Sequence, residues 1–259
     1  MNADKRFRFL RTEGIVLRST PFAETDRLVT FYTRQYGKLR AVAKGARRPT
    51  CRFASVVEPG THARLFFYRK PNKELALMTQ HEIIQSFRHL RTDLDRYLQT
   101  CYLLELMDRF TSWEDPNRVI WHLLCYTLNR LQEDPSRATL WLATFEVRLL
   151  SVMGYHVRLG SCVSCEEEFG GKAGVFDSSS VGIRCSECHD GEEESEWWLP
   201  VEAIKLAQNL QGASFEELET LTPQGGHVAS IRSMLLPLLH RFSETPHEFR
   251  TLAVARSLL

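Results

Sequence analysis

The sequence contains no apolar run near the roughly 18 residues from which a membrane-spanning helix is built, so no such helix is expected. Its opening, Met1-Asn2-Ala3-Asp4-Lys5-Arg6, lacks the apolar segment of a secretory signal, and the expected location is the cytoplasm. Its seven cysteines are odd in number and unevenly spaced, which excludes the even framework of a disulfide-stapled secreted domain. Catalytic motifs are missing as well. There is no His-Glu-x-x-His segment, and Glu166 stands where a phosphate-binding loop ending at Gly171-Lys172 would need its first glycine. Neither cysteine pair follows a proline, as the zinc deaminase pattern requires. His62, His81 and His122 have no evident partners along the chain. No internal repeat of about 20–50 residues occurs. These absences point to a binding protein rather than an enzyme.

What is present is an uneven charge. The net charge of the whole chain is +1, yet residues 1–80 hold 17 Lys and Arg against 6 Asp and Glu, while residues 161–200 hold 2 against 10. A basic surface that only needed solvation would be balanced by acids, so the N-terminal excess implies a polyanionic partner for that region alone.

Hydrophobic patterning divides the chain. Residues 12–17, 27–33, 38–44, 61–69 and 75–84 alternate as short strands, broken at Pro21, Gly37, Gly45 with Pro49, Pro59-Gly60 and Pro71-Asn72. Five short strands in so little chain fit a small closed barrel, either an OB-fold or an SH3-like barrel. From residue 88 the period becomes helical: Leu94, Leu98, Cys101, Leu104 and Met107 form one stripe. Asp115-Pro116 and Pro135-Ser136 are expected helix starts, the latter helix ending at Gly154. Helices return at 201–211 and across Val228, Ile231, Leu235, Leu238 and Phe242, with Pro237 expected to kink or interrupt the last. The expected architecture is mixed β and α, with a nucleic-acid-binding OB-fold barrel at 1–84 and helices at 85–158 and 199–259. An acidic insertion rich in Gly and Ser occupies 159–198.

That insertion carries Cys162-x2-Cys165 and, nineteen residues on, Cys185-x2-Cys188. Two such knuckles bring four thiolates to the corners of a tetrahedron, the geometry of a closed, structural Zn²⁺ site. A site with His189 replacing one thiolate, or a pair of redox dithiols, are the alternatives; the second lacks a thioredoxin-like context. In the barrel region, strand alternation sets Lys38, Arg40 and Lys44 on one face, opposite Leu39, Ala41 and Ala43. The same rule aligns Arg64, Phe66, Tyr68 and Lys70, with Arg47, Arg48 and Arg52 in a basic loop. Cations that follow phosphates and rings that stack on bases are what a single-strand groove needs. Core positions for Phe66 and Tyr68, and a merely solvated loop, are the plainer readings.

Three blocks closely resemble the N-terminal domain of the RecO family of recombination mediators. They are Glu13-Gly14-Ile15-Val16-Leu17-Arg18, Glu24-Thr25-Asp26-Arg27-Leu28-Val29-Thr30-Phe31, and the run from Gly37 to Arg47. Phe145-Glu146-Val147-Arg148-Leu149-Leu150, Met153-Gly154-Tyr155 and the first cysteine pair resemble the family's approach to its zinc module. The resemblance runs from residue 12 to about 190. It implies an OB-fold, a helical domain with a zinc insertion, binding of single- and double-stranded DNA, and annealing of complementary strands. It also implies action with RecR on SSB-coated DNA to load RecA, in a bacterial cytoplasm beside the nucleoid. An RNA-binding or transcription-associated OB protein with a zinc ribbon is the rival. Because Glu166-Glu167-Glu168 and Glu192-Glu193-Glu194 repel phosphate, the insertion is expected to face away from DNA.

Overall fold

The computed structural model describes residues 8–71, 73–189, 197–223, 225–243 and 249–257. Glu192, Glu193 and Glu194 lie outside these. The chain forms two compact units, Met1–Pro135 with Glu248–Leu259, and Ser136–His247. The division therefore falls within the helical sequence, and three of the described α-helices join the barrel's unit.

Five strands make the barrel: β1 (Arg8–Phe22), β2 (Asp26–Thr33), β3 (Gly37–Ala43), β4 (His62–Arg69) and β5 (Leu75–Gln85). They close in the order β1-β2-β3-β5-β4, with β3 and β5 parallel and the other pairs antiparallel. This is the topology of an OB-fold. Closure depends on β1, which pairs with β4 through its first half and β2 through its second, bending at a bulge between Val16 and Arg18. Alternation delivers Val29, Phe31, Leu39, Ala41, Leu65, Phe67 and Met78 to the interior, and Phe53, Val56 and Val57 join the same core from the 44–61 connection. Phe31 and Phe67 meet edge to face at 5.5 Å. Each fully buried side chain of this size contributes about 1.5–3 kcal/mol.

Two helices follow, α1 (Leu94–Phe110) and α2 (Arg118–Glu133). The α1 stripe is buried at Leu104 and Met107, but Leu94 is exposed and Leu103 and Leu106 face inward instead. The cap of α2 is Asn117, not Asp115: its side chain accepts from the Val119 and Ile120 amides at 2.9 and 3.1 Å. Asp115 is displaced from that role because its backbone lies against the β2–β3 turn. Gly37 sits there at φ +64°, and a Cβ on it would stand 2.4 Å from the Asp115 carbonyl group. A helix after the second unit, which we designate α7 (Arg250–Ser257), completes this unit. The Glu105 carboxylate of α1 accepts from the Arg250 and Thr251 amides at 2.9 and 3.0 Å and from the Thr251 hydroxyl, while Phe249 is fully buried. Burial pushes the Glu105 carboxyl up, but these donors together with Arg109 outweigh it and hold it below its ordinary value.

The second unit contains α3 (Ala138–Val152), three short strands β6 (Gly174–Asp177), β7 (Gly182–Cys185) and β8 (Trp197–Leu199), and helices α4 (Val201–Gly212), α5 (Phe215–Thr220) and α6 (Gly225–Phe242). The strands form an antiparallel sheet in the order β7-β6-β8. Helix α3 is buried on nearly every side, including Trp141, Phe145 and Leu149. That surrounding makes the burial of Glu146 notable; Arg232 of α6 answers it, its Nε and Nη2 donating at 2.8–3.2 Å. Helix α6 is continuous through Pro237, so the proline does not interrupt it. No described helix is long and apolar enough to cross a membrane.

Candidate nucleic-acid groove and metal centre

An open groove of about 330 Å³ crosses the barrel between the β1–β2 and β4–β5 turns. Val42, Leu75, Ala76 and Leu77 are its apolar floor, and Phe22 and Tyr68 add rings. Lys44, Lys70 and Lys73, all exposed, bring ammonium groups to the same opening. Asp26 is the one acidic residue among the described lining. Its Oδ1 accepts from the Gly45 amide at 2.8 Å, so part of its charge is spent on the turn that carries Lys44. The β2–β3 face flanked by these two turns is where OB-folds bind oligonucleotides. Arg47 braces one wall by donating to the Glu24 carbonyl at 2.9 Å.

The second unit gathers its four paired cysteines. The Cys162, Cys165, Cys185 and Cys188 sulfurs all lie within 4.8 Å of one another. Cys162 and Cys165 stand in the turn after α3, Cys185 ends β7, and Cys188 is in the turn beyond it. Cys165 Sγ and Cys185 Sγ are 3.9 Å apart. Four sulfurs at about 2.3 Å from one tetrahedral ion would be separated by about 3.8 Å, so the donor set fits a metal. Burial pushes the Cys162 thiol up, but backbone amides of Cys165, Cys185 and Ser164 bring it down to about 6. Cys188 is pushed up to about 12 by the neighbouring Cys185 and Cys165 thiols. One thiolate is thus stabilised by the backbone, whereas holding all four needs a cation at the centre. His189 is not part of this cluster.

The family model described as Recombination protein O N terminal matches residues 7–87, and that described as Recombination protein O C terminal matches residues 91–245. The chain belongs to the RecO family. Its relatives include the DNA repair protein RecO of Syntrophus aciditrophicus (strain SB), 37% identical over 69% of either chain. The DNA repair protein RecO of Halalkalibacterium halodurans is 31% identical over 88% of this chain and 87% of its own. That of Frankia casuarinae is 34% identical over 85% and 90%, respectively. Membership places this protein in DNA repair and recombination and accounts for an OB barrel followed by helices. The C-terminal match continues to residue 245, well beyond residue 190, near which the resemblance of the sequence blocks ends.

Against this RecO framework, the basic residues singled out in the sequence separate into groups. Lys44, Tyr68 and Lys70 share the groove. Arg48 and Arg52 are exposed in the loop, Arg52 donating to the Thr79 carbonyl at 2.9 Å. Phe66 and Tyr68 are half-buried on the outer face, while Phe67 between them is the core residue. Arg64 is engaged at 2.5 Å with Glu82. Lys38 and Arg40 do alternate away from the interior, but Lys38 is only 3% exposed. Its ammonium donates to the Asp108 carbonyl at 2.6 Å and faces that residue's carboxylate at 3.6 Å, so it pins α1 to the barrel. Arg40 lies over the Trp113 ring, 4.2 Å from its centroid. Phe22 and Lys73 belong to the groove and were not read from the sequence. Both flank turns, so only the closure of β1 onto β2 and of β4 onto β5 brings them together.

Proposed function

We propose that this RecO family member binds single-stranded DNA in the barrel groove and anneals complementary strands, acting without bond chemistry. With RecR it helps load RecA on SSB-coated DNA, and it also binds double strands. The observation that carries this reading is the coincidence of Lys44, Lys70 and Lys73 with Phe22 and Tyr68 over one apolar floor. Ammonium groups follow a phosphate backbone while bases pack on rings and floor, which suits any sequence. Zn²⁺ is the ion that the four cysteines would hold. It would supply structure alone, since four protein sulfurs leave no coordination position for water or substrate.

The deciding experiment is annealing of complementary oligonucleotides, bare and SSB-coated, with RecR added to the coated arm. Faster annealing of bare strands and a RecR-dependent gain on coated ones are expected. No acceleration on either, or preferential binding of RNA over DNA in competition, would favour the RNA-binding alternative. Affinity for oligo(dT) should also fall with salt. If about six phosphates are neutralised, the log–log slope is about −4, and reversing Lys44, Lys70 and Lys73 to Glu should flatten it by about 2. An unchanged slope would move the footprint off the groove. Neutralising Glu166, Glu167 and Glu168, all exposed, together with Glu192, Glu193 and Glu194, should leave that affinity within about tenfold, or 1.4 kcal/mol.

A further inference from the structure

The connection between α1 and α2 does more than span a gap. Trp113 forms a bridge with Lys38, and the Glu114 amide donates to the Lys38 carbonyl at 3.0 Å. Asp115 is held against Gly37 at a spacing that a Cβ would forbid. Arg69 donates to both oxygens of the Glu114 carboxylate at 2.8 and 2.9 Å. Glu114 itself is a non-glycine residue at φ 57°, a conformation that persists only where its surroundings impose it. A segment so thoroughly fastened would be expected to tuck its largest apolar side chain inward. Instead Trp113 is 45% exposed.

The indole is flanked by cations, with the Arg40 guanidinium carbon 4.2 Å and the Lys38 Nζ 4.8 Å from the ring centroid. Lys38 is committed to Asp108. Arg40 has no carboxylate partner among the described residues, and its buried Nε has no hydrogen-bond acceptor. A guanidinium that lies over a ring can still present its edge N–H groups to an anion. Together with Leu39, Glu74 and Glu114, these side chains line a cavity of about 190 Å³.

This cavity follows the groove along β3. The outward residues of that strand and its continuation are, in order, Lys38, Arg40, Val42 and Lys44. The parallel pairing sets Arg40 beside Leu75 and Val42 beside Leu77. Val42, Lys44, Leu75 and Leu77 line the groove, whereas Lys38 and Arg40 line the cavity. From Lys44 to Arg40 the strand rises about 13 Å. A single strand leaving the groove along β3 would next meet an immobilised indole backed by an arginine that has no carboxylate partner among the described residues.

We propose that Trp113 is a base-stacking platform that extends the single-strand path beyond the groove, with Arg40 contacting the adjoining phosphate. The proposal rests on the groove being the single-strand site. It gives the path a second aromatic station, on an interhelical connection rather than on the barrel itself. Of the two acids there, Glu114 is neutralised by Arg69, while exposed Glu74 stands at the rim and opposes the phosphate.

The test uses full-length protein and labelled oligo(dT), with anisotropy reporting affinity and tryptophan emission reporting stacking. Trp113→Ala is expected to weaken binding by roughly 5- to 150-fold, the range for losing one stacked base. Trp113→Phe keeps a ring and should stay much nearer wild-type affinity while losing most of the emission quenching. That second readout does not depend on how well the alanine variant folds. Wild-type affinity and quenching in both variants, alongside weakened binding in a Lys70→Glu/Lys73→Glu variant, would overturn the platform and leave the groove standing. Absence of oligo(dT) binding by the wild-type protein would overturn the groove reading itself.

Discussion

Replacing Cys185 by serine is expected to release the metal and unfold the module around it. The three strands there are only three or four residues long. Their apolar support among the described residues includes Phe169, Val175, Phe176, Ile183 and Leu199, little for a sheet that must hold its own register. Structural zinc in small modules supplies an apparent binding free energy on the order of 10–16 kcal/mol, far more than such a core can replace. Cys185 occupies the pivotal place because its sulfur is a ligand candidate and its backbone amide donates to Cys162 Sγ at 3.3 Å. The serine variant should purify with little metal per chain, and protease should cut within residues 160–189 while the wild type resists there. Serine at Cys51, which lies outside the cluster, should change neither property. Full metal retention in the Cys185 variant would overturn the four-sulfur assignment.

The second large effect is expected at the buried ion pair of the other helices in that unit. The Glu146 side chain is 2% exposed and that of Arg232 is 27% exposed, so the two truncations are not equivalent. Arg232→Ala strands a carboxylate within the helical core and should cost about 3–5 kcal/mol. Glu146→Leu leaves a guanidinium that still reaches solvent and should cost clearly less. The double variant Glu146→Leu/Arg232→Met removes both charges and should recover much of the stability lost in Arg232→Ala. Urea unfolding of the four proteins checks this order. Equal losses from the two single variants would show that the pair is hydrated in solution and that its burial matters little.

How much of this was legible before folding depended on how far apart the deciding residues lie. The five strands could be read because alternation and turn residues act within a few positions, and Phe67 between Phe66 and Tyr68 shows the rule holding on β4. The cysteine knuckles were equally local. The fate of Lys38 was not, because Asp108 reaches it from α1, seventy positions along the chain. Trp113 likewise carries no mark in sequence, since its station depends on Gly37 and Arg69 from separate parts of the barrel. The shift of the helix cap from Asp115 to Asn117 has the same origin: tertiary contact at Gly37 overrode a good local start signal. Nothing local marks Glu146 for burial, because its partner Arg232 lies 86 positions away on α6. The RecO resemblance, meanwhile, identified the family from short blocks but could not say which basic residues remain outward.

The return of α7 to the first unit has a consequence for synthesis. A ribosome delivers the barrel, α1 and α2 first, then all of Ser136–His247, and only afterwards Phe249 and the helix that Glu105 caps. Domains completed in chain order can fold as they emerge, but this one is interrupted. Until the last stretch is made, the site for the Phe249 ring is empty and the Glu105 carboxylate lacks the amides that satisfy it. The nascent barrel unit therefore waits, with the Tyr102 ring and Arg109 guanidinium of α1 that Phe249 packs against left uncovered, for the full time needed to translate the inserted unit.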